Sequence, residues 1–136
     1  MKNAQISTEY LIVVGFVTFL VFTIFSISII YSNTVKDRII LDQSESFAKQ
    51  LINSAESVFF AGEPSKATIN LYLPQKVSSI EINGTDVIIS VSTGSGENKR
   101  AYESAVPLQG EISVSEGTKR LTLTAREGYV EILPSS

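Results

Sequence analysis

The chain has 136 residues, a net charge of −3, and no cysteine, histidine or tryptophan. That length suits one globular domain plus an anchor. The composition excludes disulfides and cysteine–zinc sites, removes the commonest general base and metal ligand, and leaves no basic field for nucleic acid.

The first element lies between Met1 and Tyr31. Lys2 and Gln5-Ile6-Ser7-Thr8-Glu9-Tyr10 precede an apolar run, and Tyr10 to Tyr31 holds no charge and no proline. Coiled as a helix, those 22 residues extend about 33 Å, enough to cross a hydrocarbon core of about 30 Å. Glu9 sits at the entrance, where a carboxylate is costly unless it finds a partner or stays at the interface. Lys2 lies before the run and Lys36 and Arg38 after it, so the balance of basic residues leaves the orientation undecided.

Three readings of this terminus compete. A conventional secretory signal has a basic start, an apolar stretch of about 7–15 residues and a small-residue cleavage site after it. Here the run is longer, Glu9 interrupts the start, and Tyr31-Ser32-Asn33 offers no such site. A plain transmembrane anchor fits the length but gives Gln5, Ser7 and Glu9 no role. The third reading places a cut before the run, between Ala4 and Gln5, so that the apolar helix stays in the mature chain.

Residues Ala4-Gln5-Ile6-Ser7-Thr8-Glu9-Tyr10-Leu11 resemble the Q-x-S-x-E-Y-L signature of archaeal type IV-like pilins with a class III signal peptide. The resemblance covers about the first 30 residues closely, and the remainder only in layout. One departure is Ala4, where pilin precursors often carry glycine. The resemblance implies a leader of residues 1–4, a cut between Ala4 and Gln5 by a membrane prepilin peptidase, and roles in recognition and assembly for Ser7, Glu9 and Tyr10. It also implies that Glu9 meets the new amino terminus of a neighbouring subunit in a fibre, a pairing that a low-dielectric core would make strong. Cyclisation of Gln5 to pyroglutamate would remove that charged amine.

Local chemistry suggests further expectations for the same residues. Ser7 or Thr8 can cap a helix start, and Glu9 suits the positive end of a helix dipole. From Asn33 to Ala61 the apolar residues Val35, Ile39, Ile40, Phe47, Leu51, Ile52, Ala55, Val58 and Phe59 recur at helical spacing. Glu45 and Lys49 form an i,i+4 pair, and Gly62 followed by Pro64 marks the stop. One helix is therefore expected from about Ser7 to Ala61, roughly 80 Å long, within a helical segment 5–61. The polar run Asp42-Gln43-Ser44-Glu45-Ser46 is the place for a bend or fraying. Phe47 to Phe60 is expected to dock on the chain's own domain, and Ile39, Ile40 and Leu41 to face neighbouring subunits.

Beyond Pro64 the apolar period becomes two. Runs at 67–73, 80–82, 87–91, 101–106, 112–114, 121–125 and 129–133 are separated by Pro74-Gln75, Asn83-Gly84, Gly94-Ser95-Gly96, Pro107 with Gly110, Glu116-Gly117 and Glu127-Gly128. Asn83-Gly84 is the strongest hairpin signal, read as a type I′ turn. The expected fold class is α+β: a long amino-terminal helix followed by a small antiparallel β domain, sandwich or meander, over residues 65–136, in the layout of type IV pilins. A sheet domain this small is marginal alone and needs the helix to complete its core.

Other motifs carry less. Gly94-Ser95-Gly96-Glu97-Asn98-Lys99 lacks the ending of a phosphate loop and has no helix after it. Asn83-Gly84-Thr85 is an N-glycosylation sequon, so Asn83 is a candidate for modification. The acidic residues of the β segment are spread singly, and no calcium-loop spacing is present. No catalytic set, cofactor site or metal site is expected, and the chain is not expected to be an enzyme.

The expected function is structural: a subunit of an archaeal type IV-like pilus with surface adhesion implied, held in the membrane as a precursor and displayed outside the cell once assembled. The resemblance implies as partners other copies or related pilins, the prepilin peptidase, an assembly ATPase and a membrane platform protein, with lipid before assembly. The alternative is a single-span anchored extracellular binding module that does not polymerise.

Overall fold

The computed structural model describes residues 2–135, so Met1, part of the expected leader, lies outside the described residues. A single helix, α1, runs Lys2–Ala61. Nothing in that stretch breaks it: there is no proline, and Gly15 is its one glycine. Gly62, with φ at 90°, ends it and donates its N–H to the Phe59 carbonyl at 3.1 Å. The chain divides into two compact units within this helix. One ends at Lys36 and the other begins at Asp37.

Several local expectations change here. The helix starts before Ser7, so neither Ser7 nor Thr8 caps it, and its first turn holds no acidic residue. Thr8 instead donates its hydroxyl to the Ala4 carbonyl at 3.0 Å, a bond made from inside a helix. The polar run at 42–46 produces no break. Ser44 is only 2% exposed, and its hydroxyl donates to the Ile40 carbonyl at 2.9 Å. A small side chain that satisfies its own polar atom can continue the buried face.

In the second unit that face carries Ile40, Phe47, Ala48, Leu51, Ile52, Ala55 and Val58, all buried. Ile40 is buried in this unit's own core and so is not available to neighbours as expected, while Leu41 is half-buried against that core. Ile39 remains exposed. Phe60, expected to dock, is 71% exposed, and its ring stands edge-to-face with that of Phe59, centroids 5.7 Å apart.

Among the described residues seven strands follow: β1 Lys66–Leu73, β2 Val77–Asn83, β3 Asp86–Thr93, β4 Gly96–Glu103, β5 Leu108–Gly110, β6 Gly117–Arg126 and β7 Tyr129–Pro134. They form a four-stranded sheet, β1-β6-β7-β5, and a three-stranded sheet, β2-β3-β4. Alternation decides the inner faces: Leu71 and Leu73, Val87, Ile89 and Val91, and Leu121, Leu123 and Ala125 are buried with the helix residues in one cluster. The architecture is α+β.

Four strand expectations are corrected. β5 pairs with β7 in parallel, Leu108 opposite Val130 and Gly110 opposite Ile132, so the larger sheet is mixed. Pro107 to Gly110 was expected as a turn, but Pro107 only opens the strand, its carbonyl accepting the Val130 N–H at 2.9 Å. Residues 112–114 form no strand, although Ile112 is buried. The strand expected at 101–106 is β4, which starts earlier and ends at Glu103.

The β2–β3 turn is also shifted. Asn83 is the last residue of β2 and pairs with Asp86, leaving Gly84-Thr85 as the loop. Of those two only Gly84 has positive φ, 62°. That is the requirement of a type II′ turn, with glycine in the first central position, and not of type I′. The turn carbonyls are used: Gly84 accepts from Leu108 N–H at 2.8 Å and Thr85 from Ser104 N–H at 2.7 Å.

Candidate functional site

The residues singled out at the amino terminus all lie on α1. Ala4, Gln5, Ser7, Glu9 and Tyr10 are helical and exposed. Gln5 and Glu9 stand one turn apart on one face, whereas Ser7 points about half a turn away. The helix thus brings Gln5 and Glu9 together but does not gather all five. The Ala4–Gln5 peptide lies inside the helix, and its carbonyl already accepts the Thr8 hydroxyl. A protease acting there must first unwind this end, which frays readily because the first turn lacks half of its backbone bonds.

From Leu11 to Tyr31 the helix is uncharged and exposed on all sides, with large apolar side chains around its circumference. Phe16, Phe19, Phe22 and Phe25 are each 62–69% exposed, and Ile12, Val13, Ile24 and Ile30 are similarly open. The helix is long and apolar enough to cross a membrane, with a mean hydropathy of 2.6 in its most apolar window. Three of its hydroxyls are satisfied internally. Thr23 donates to the Phe19 carbonyl and Ser26 to that of Phe22, both at 2.9 Å, and Thr34 to that of Ile30 at 3.1 Å. Such bonds let hydroxyls sit in apolar surroundings without an outside partner. A helix apolar all round is stable only when lipid or other protein covers it.

Where α1 enters the second unit, Asp37 receives two loops. Its Oδ2 accepts the Gly94 N–H at 2.9 Å from the β3–β4 turn, and its Oδ1 accepts Lys76 Nζ at 3.4 Å from the β1–β2 turn. Lys76 adopts φ of 65°, and its carbonyl accepts the Ser92 N–H at 2.8 Å. The Gly94 hydrogen bond, with help from Lys76, holds the Asp37 carboxyl below its ordinary value of 3.8. Sequence reasoning missed this residue, because Lys36-Asp37-Arg38 looks like solvated charge. Two further helix carboxylates hold the β strands and loops: Glu56 accepts the Ala105 N–H at 2.8 Å, and Glu45 bonds Lys49 at 2.5 Å and approaches Arg100 at 3.7 Å.

The lowered Asp37 value has a definite sign. Its contribution to stability is fully present above pH 3.8 and is lost as pH falls through the depressed folded value. Amide exchange at Gly94, followed by NMR and corrected for intrinsic rates, is expected to accelerate below that pH. Asp37→Ala is expected to show the fast exchange at every pH.

Asn83 is exposed at the end of β2, beside the tight turn. The glycine-rich segment at 94–99 is the β3–β4 turn running into β4, where Thr93 Oγ1 donates to the Gly96 carbonyl at 2.7 Å. Among the described residues no group of three or more acidic side chains is placed to hold a metal ion. The chain matches no family model, no curated protein and no solved structure.

Proposed function

We propose that this chain is the structural subunit of a surface filament similar to archaeal type IV-like pili. The observation that carries the reading is the pairing of Gln5-Ile6-Ser7-Thr8-Glu9-Tyr10 with a helix whose apolar side chains from Leu11 to Tyr31 are exposed around its whole circumference. In this reading lipid covers the helix of the precursor. A prepilin peptidase removes residues 1–4 and frees Gln5. Sister helices then replace lipid, and the β sheets are displayed outward, where they are available for adhesion. Lipid tails and apolar side chains are similar solvents, so the exchange is not prohibitively uphill. An assembly ATPase and a platform protein would drive it, and Asn83 would be open to glycosylation at the surface.

The test is mass analysis of the chain sheared from cell surfaces. The expected amino terminus is Gln5, or its cyclised form lighter by one ammonia, recovered from fibres. A chain that retains Met1 to Ala4 and stays singly in the membrane overturns the proposal and supports an anchored binding module.

A further inference from the structure

In the first unit the side chains described carry two formal charges, Glu9 and Lys36, and among the described residues neither forms an ion pair. They are 27 positions apart. That is about 40 Å along the helix and about seven and a half turns, which places them on opposite faces. The face that ends in Lys36 holds a shallow groove lined by Phe25, Ser28, Ile29, Ser32, Asn33 and Lys36. Unlike Thr23, Ser26 and Thr34, the polar side chains of Ser28, Ser32 and Asn33 have no hydrogen-bond partner among the described residues.

Complementary charges on opposite faces cannot satisfy each other within one helix or across a two-fold dimer of parallel helices. They are satisfied by repeated translation of one copy past the next, which produces an open, non-closing association. Resting on the filament reading, we infer that the occupant of this groove is the Glu9 face of a second copy, displaced along the axis by about 40 Å, with its Glu9 carboxylate on Lys36 and its first turns against Ser32 and Asn33.

The displacement has a physical rationale. A bilayer including its headgroups is about 40–45 Å thick, so a resident copy keeps Glu9 at one interface and Lys36 at the other. A copy already advanced by one membrane thickness carries its Glu9 to the level of the resident's Lys36. Glu9 then leaves one polar layer and arrives at a cation. The long Lys36 stem reaches along the groove while its ammonium follows the carboxylate. Asn33 and Ser32, within about one turn of Lys36, supply donors to the second carboxylate oxygen. With Gln5 cyclised and its charged amine gone, a Glu9 that found no cation there would be penalised, which makes other displacements less favourable.

The chain has no cysteine, so an engineered pair reports contact cleanly. The displacement sets residue 6 of one copy beside residue 32 of the next, on the same side of the line from Glu9 to Lys36. Fibres of the Ile6→Cys, Ser32→Cys double variant are expected to give a ladder of disulfide-linked oligomers on oxidation, whereas Ile6→Cys with Thr23→Cys gives monomer. Independently, Lys36→Glu is expected to lower fibre yield at least tenfold with cleavage between Ala4 and Gln5 unchanged, and Lys36→Arg to preserve it. Monomer from the 6/32 pair in intact fibres, or wild-type yield from Lys36→Glu, overturns the displacement and leaves the filament reading standing. Absence of fibres from the wild-type chain overturns both.

Discussion

Phe47→Ala is expected to destabilise the second unit by about 3–5 kcal/mol. Phe47 is 1% exposed and lies in the cluster shared by the helix and both sheets. The loss has two parts, the apolar area returned to water and the void left where the surroundings cannot collapse. Collapse is hindered here because the neighbours on the helix, Ala48, Leu51 and Ser44, are fixed by one rigid backbone. Domains of this size are stable by about 5–15 kcal/mol, so the variant is expected to lose a large share of its folded population on mild heating. Thermal unfolding of the full chain in detergent micelles, followed through the β-sheet signal, measures it. Gln50→Ala on the exposed face should stay within about 0.5 kcal/mol of the parent. Similar losses in both would mean that the helix does not complete the core.

Gly110→Ala is expected to cost at least about 3 kcal/mol. A Cβ built at Gly110 falls 2.2 Å from the Ile132 carbonyl oxygen and 3.0 Å from its carbonyl carbon and Cβ. Most of these are backbone atoms of the paired strand, so no rotamer change can clear them. The residue also has φ of 142°, a region that glycine alone enters easily. The only relief is separation of β5 from β7, which removes the parallel pairing and the Val130-to-Pro107 bond. Gly128→Ala is the comparison. Its φ is 82°, but nothing lies within 4 Å of the new Cβ, so only the conformational cost of about 1–2 kcal/mol is expected. Urea unfolding of both full-length variants separates the close approach from the backbone strain. Equal midpoints would mean that β5 does not sit tightly on β7.

These two residues show unequal legibility. Phe47 could be read from helical spacing, because a buried helix face leaves a period in the sequence. Gly110 could not: beside Pro107 it looked like a turn, and only the parallel return of β5 along β7 reveals why no side chain fits. Ile40 and Ser44 were misjudged for a related reason. A stripe says which residues share a face, but not how far along the helix a partner reaches. Asp37 was invisible because its partners, Gly94 and Lys76, are 57 and 39 positions away. Gln5 and Glu9 needed no fold to be noticed, since their meaning lies in their order before an apolar run.

The sequence by itself determined the long helix, its uncharged stretch, the change of period after Pro64 and the absence of thiol and imidazole chemistry. Each follows from local covalent or periodic properties that no distant contact can alter. Only the tertiary structure decided that the division falls at Lys36 and Asp37, inside the helix, that the larger sheet is mixed, and that Ile40 and Ser44 belong inward. Those depend on which strands return to which, and burial is a property of the surfaces that meet.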